Sequence, residues 1–265
     1  MKKVSLICLS LLAFTACNDA TNTNDKESAS AATANVAQPL ASGLPVQAQL
    51  DGAKSNGKVA FFVLVSNDTP GNGRAFQIAD KVNKQVGNSV VIRVNRDDTA
   101  NAAVIEKWQL SSIPTPAIFI ISAKGIPVTS FSLEEANESA IIKDIPSPKM
   151  DEAYVALDEK KPVFLLVSRS ISIDKDKIMS NCKSAIEQLK IKAALIEVDQ
   201  DDIKEKTLLD NFKIAPTSNI PTVIVLNADG ETTGSFTGAV TTKQLIAAAT
   251  KVVKTQCCAN GESCK

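Results

Sequence analysis

A mixed sheet covered by helices, built twice in tandem, is the α/β fold this sequence predicts, and three observations carry the prediction. Short runs rich in Val, Ile and Phe alternate with segments of helical period, the pattern of strands joined by crossover helices. Phe61 to Val65 and Phe164 to Val167 are continuous apolar runs, as expected of central strands buried on both faces. The second half also repeats landmarks of the first in unchanged order. Val63-Leu64-Val65-Ser66 is answered by Leu165-Leu166-Val167-Ser168, Val91 to Asp98 by Leu195 to Asp202, and Ile113-Pro114-Thr115 by Ile220-Pro221-Thr222. Gly125 and Phe131 are matched by Gly230 and Phe236.

The elements follow in order. Ala75, Ile78, Val82 and Val86 recur at helical turns in the first copy, and Met179, Cys182, Ile186 and Leu189 do so in the second, with Cys182 matched to Ile78. Ala117 to Ile121 and Val223 to Leu226 read as strands that turn at Ala123-Lys124-Gly125 and Ala228-Asp229-Gly230 into hairpins reaching Phe131 and Phe236. Thr242 to Lys254 predicts a closing helix with Leu245, Ile246, Ala249, Val252 and Val253 on its inner side. Ile145-Pro146-Ser147-Pro148 has the stiff composition of a linker. The expected domains are 46–145 and 149–256, each with about four or five strands.

Composition narrows the chemistry. The chain has 265 residues, 44% apolar, with 29 basic and 29 acidic side chains and no histidine. Zero net charge gives no electrostatic reason to expect a nucleic acid partner. Without imidazole, Ser-His-Asp triads, Cys-His pairs and His-ligated metal centres are excluded. Acid-base or redox work falls to carboxylates, lysines and six cysteines.

The N-terminus reads as an address. Met1-Lys2-Lys3 is basic, Val4 to Phe14 is largely apolar, and Thr15-Ala16-Cys17 follows. The apolar stretch is too short to span a bilayer, which needs roughly 20 residues. The arrangement resembles the bacterial lipoprotein signal, with Phe14 where that pattern has leucine. It implies cleavage after residue 16 and lipid attachment at Cys17, placing an exported protein on a membrane facing the periplasm or cell exterior. A plain secretory signal cleaved nearby is the alternative. Residues 17–45, rich in Asn, Thr, Ala and Ser, read as a flexible tether.

The buried first strand, the strand ending in acidic residues, and Ile-Pro-Thr leading into a strand and glycine hairpin together resemble the thioredoxin family, twice over, across residues 46 to 256. The resemblance implies that Pro114 and Pro221 are cis and stand beside the place of the family's active-site thiols. Ile113, Pro114, Thr115, Ile220, Pro221 and Thr222 then form a surface where backbone groups can pair with an extended peptide. The redox members carry Cys-x-x-Cys after the first central strand, where a helix N-terminus stabilises the thiolate. Here Ser66 to Gly73 and Ser168 to Asp176 contain no cysteine, and neither first strand holds an acidic residue. Cys182 lies on an apolar stripe and reads as a core thiol.

The tail, 257–265, concentrates Cys257, Cys258 and Cys264. Three readings stay open: a static disulfide with a spare thiol, a redox-active pair, or a soft-metal site for Cu(I). Asp199-Gln200-Asp201-Asp202 lacks the glycine turn and closing Glu of a calcium loop and reads as a solvated loop. The leading functional expectation is an envelope binding module for a protein or peptide client, leaning away from an enzyme. The alternatives are thiol-disulfide exchange or Cu(I) binding through the tail.

Overall fold

The computed structural model describes residues 45–67, 69–215 and 219–253. Cys17 and the tail cysteines Cys257, Cys258 and Cys264 lie outside them. The first domain runs α1 (Val46–Ser55), β1 (Val59–Val65), α2 (Asn72–Val86), β2 (Ser89–Asn95), α3 (Ala102–Lys107), β3 (Ala117–Ile121), β4 (Pro127–Ser132) and α4 (Glu138–Lys143). The second repeats the order as α5 (Pro148–Asp158), β5 (Val163–Ser168), α6 (Lys175–Gln188), β6 (Ala194–Asp199), α7 (Lys206–Asn211), β7 (Thr222–Leu226), β8 (Thr232–Thr237) and α8 (Thr242–Ala249).

Each domain holds one four-stranded sheet, ordered β2-β1-β3-β4 and β6-β5-β7-β8. The first two strands of each pair in parallel and the rest antiparallel. Every residue of β1 and β5 is buried, because helices cover both faces. Phe62 and Leu64 share a cluster with Val46, Leu50, Val104 and Ile105 of α1 and α3, while Phe61, Val63 and Val65 pack with Ala75, Ala79, Val82 and Ile141 of α2 and α4. In the second domain Leu165 and Val167 face α5 and α7, and Phe164 and Leu166 face α6 and α8.

Strand pairing corrects the expected alignment of the two copies. Leu64 pairs with Ala117, and Val167 with Thr222, so the equivalent of Leu64 is Val167 and that of Phe62 is Leu165. The sequence match of Val63 to Leu165 is one residue out. Because side chains alternate across a strand, a single-residue slip exchanges the two faces. On the helices the same shift places Cys182 opposite Ala79, not Ile78: the buried triplets are Ala75, Ala79, Val82 and Ile178, Cys182, Ala185.

Two boundaries also differ. The closing helix ends at Ala249, with Val252 and Val253 exposed instead of inward. The Lys251 carbonyl accepts a hydrogen bond from Asn227 Nδ2 at the β7–β8 turn, which ties the chain down there. The expected linker is the start of a helix: Ser147 caps α5 through its hydroxyl to the Met150 N–H, and Pro148 occupies the first turn. This helix also joins the domains. Buried Asp151 accepts the Lys124 N–H of the β3–β4 turn at 3.1 Å, and Tyr154 packs against both cores.

Candidate functional site

Both sheets end in the same arrangement. The C-terminal ends of the central and second strands and the start of the third bring three connections to one edge, which is where open α/β sheets place ligands. In the first domain these are Ser66–Gly71, the turn after Asn95, and the segment leading to Pro116. Pro116, not Pro114, immediately precedes β3, as Pro221 precedes β7.

This register corrects the expected proline geometry. Among the described residues the cis peptide is Thr115–Pro116, and the bonds before Pro114 and Pro221 are not cis. Pro114 is exposed two positions upstream, whereas Pro116 is buried at the sheet edge. The Ile-Pro-Thr-Pro segment holds two prolines, and only the pairing of Ala117 with Leu64 distinguishes their positions. Of the six residues expected to form the surface, Thr115, Ile220, Pro221 and Thr222 lie at the strand starts. Ile113 packs partly against the first core and Pro114 sits outside the site.

The first domain's face is closed by its own hydrogen bonds. The Ser66 hydroxyl lies 2.6 Å from the Thr115 hydroxyl and 2.7 Å from that of Thr69. Arg96 donates to the carbonyls of Ser111 and Ile113 at 3.1 and 2.8 Å, fastening the segment before the cis bond. Asn67 N–H donates to Asp97 at 2.6 Å, and Asn72 Nδ2 to the Ser66 carbonyl at 2.9 Å. Gly71 has φ 93°, and a Cβ there would lie 2.4 Å from Leu133 and 3.8 Å from Pro116. The loop therefore passes directly beside the cis proline. Among the described residues, hydroxyls, amides, the Arg96 guanidinium and the Asp97 carboxylate meet here without a thiol.

The second domain's face is built differently. Its loop, residues 169–174, is as long as the first domain's, but Ile173 N–H donates to the Asn219 carbonyl at 3.2 Å and Arg169 pairs with Asp201 at 2.7 Å. Four isoleucines stand on these connections with half or more of their surface in solvent: Ile171 at 69%, Ile173 at 68%, Ile203 at 78% and Ile220 at 50% exposure. By the strand register the equivalents of Ile173, Ile203 and Ile220 in the first domain are Pro70, Thr99 and Thr115. Runs of isoleucine at turn positions are the signal in the sequence that would have revealed this face.

The carboxylates at 199–202 serve the backbone. Asp199 accepts the N–H of Asp201, and Asp202 that of Lys204, capping a short 3-10 turn at Ile203–Glu205. Cys182 is fully buried, and burial pushes its thiol up to about 11. With Cys8, Cys17, Cys257, Cys258 and Cys264 each changed to Ser, the native chain should not react with Ellman's reagent at neutral pH and should release one equivalent only in denaturant. Prompt reaction in native buffer would contradict that burial.

No protein-family model matches the chain, and no curated protein matches it. Among solved structures it is similar to the first two thioredoxin domains of Eps1p from Naumovozyma dairenensis, at 13% identity and a TM-score of 0.30, covering 75% of this chain and 92% of that one. Human ERp44 form II is 11% identical with a TM-score of 0.35, over 82% of this chain and 58% of that one. The NTD_N/C domain of alkylhydroperoxide reductase AhpF from Enterococcus faecalis is 13% identical with a TM-score of 0.25, over 76% and 98%. The chain's own strand order, parallel crossover, antiparallel hairpin and flanking helices make it two tandem thioredoxin-like domains.

Proposed function

We propose that this chain is a binding protein of the cell envelope that holds protein or peptide clients at the strand-end faces of its thioredoxin-like domains. One observation carries the reading: both sheets bring the same three connections to one edge while the loops there contain no cysteine, and the one described thiol, Cys182, is buried on a helix behind the sheet. A face of that kind can hold a chain but cannot exchange a disulfide with it. Thiol exchange or Cu(I) binding would fall to Cys257, Cys258 and Cys264 of the tail. The test is titration with a labelled, permanently unfolded polypeptide alongside an insulin-reduction assay. Saturable binding without turnover is expected, and any weak reduction or Cu(I) uptake should vanish when residues 257–265 are deleted. Robust reductase activity surviving that deletion would overturn the reading.

Attachment through Cys17 puts the domains at a membrane surface. Cys17→Ser is expected to move the protein from the membrane to the soluble fraction and to remove the acyl mass from its N-terminus. An unmodified N-terminus formed elsewhere in the wild-type chain would remove the anchor from this account.

A further inference from the structure

We propose that the client docks on the second domain's face, and that the docking segment is extended and alternates aliphatic with basic side chains. The proposal rests on the binding reading above and narrows it to one domain and one chemistry.

The duplicated fold supplies an internal comparison. At equivalent positions the first domain has polar residues or proline and closes its face through Ser66, Thr69 and Thr115. The fold therefore does not need isoleucine there. Four exposed isoleucines on adjoining connections are a cost in water that association removes. Two ties hold those connections side by side: Arg169 with Asp201 joins the Ile171 loop to the Ile203 turn, and Ile173 N–H with Asn219 joins it to the strand start at Ile220.

Charge selects the partner's polar side chains. Arg169 and Lys175 are already paired, with Asp201 and Glu197. Asp174, Asp176, Asp199 and Asp202 are exposed and have no ion pair among the described residues, against Lys177 and Lys204 as the unpaired cations beside them. The remaining field is negative, so lysine or arginine between aliphatic anchors complements it and acidic side chains are repelled. An extended segment places alternate side chains on opposite sides, so one row meets the isoleucines while the other reaches the rim.

The test uses the full chain and fluorescence anisotropy with labelled peptides of about twelve residues, the length of a short recognition segment. One alternates Leu with Lys, one Leu with Glu, and one Ser with Lys. The Leu-Lys peptide should bind most tightly, and raising NaCl from about 50 to about 500 mM should weaken it several-fold. Ile173→Ser with Ile220→Ser should weaken it by about tenfold or more, while Ile→Val at both positions retains binding. Circular dichroism of each variant verifies the fold.

Equal binding of the Leu-Glu peptide would overturn the charge selection. If binding ignores the isoleucines but falls with Thr69→Asp, the client sits on the first domain, so this proposal fails and the binding reading survives. If no peptide and no unfolded polypeptide binds, both fail. If sedimentation shows a dimer that the isoleucine variants dissociate, the occupant is a second copy and the proposal is overturned.

Discussion

Replacing Phe62 with Ala is expected to cost the first domain about 3–5 kcal/mol, the usual range for deleting a buried aromatic side chain. Phe62 is fully buried, its ring 5.3 Å from Trp108 and 5.8 Å edge-on to Phe119, between α1 and α3 on one side of the sheet. A cavity there removes contacts from all these groups, and small domains have only about 5–15 kcal/mol of net stability to lose. Trp108 is the only tryptophan, so its fluorescence in urea follows the first domain selectively. The Trp108 transition should move to much lower urea with its slope retained. A loss below about 1 kcal/mol would mean that the site collapses around the deletion or that Phe62 is less buried than described.

Glu205→Ala should destabilise the second domain nearly as strongly, for a polar reason. Glu205 is only 2% exposed; its carboxylate accepts the Ser147 hydroxyl at 2.6 Å and the Lys149 N–H at 3.1 Å. Alanine leaves both donors unpaired in the protein, at about 1–3 kcal/mol each. Ser147→Ala removes the hydroxyl that caps α5 and should cost about 0.5–2 kcal/mol. Because Ser147 connects the cap to Glu205, the double variant should fall short of the summed single effects. Strict additivity in urea melts would show that the two side chains act independently.

The buried centres of both sheets were legible because apolar runs and helical periodicity follow directly from what must avoid water. The hairpins were legible for a related reason: Gly125 and Gly230 adopt φ 81° and 80°, a conformation that favours glycine. The start of α5 was also readable in principle, since serine followed by proline is a helix-entry signal. Reading Ile145–Pro148 as a linker gave proline more weight as a breaker than as a first-turn residue. Glu205 had no such signal, because a glutamate in a charged run looks like surface until the helix cap that buries it is placed.

By itself the sequence determined a tandem α/β fold, the strands at the centre of each sheet, the absence of cysteine from both strand-end loops and the core position of Cys182. These are local properties: composition, period and order along the chain. Only the tertiary structure decided which residue matches which between the domains, that the cis peptide precedes Pro116, and that Ile171, Ile173, Ile203 and Ile220 share one end of a sheet. Such facts depend on hydrogen-bonded register between strands far apart in sequence. One residue of slip exchanges the faces, and a proline two positions away leaves the sheet edge altogether.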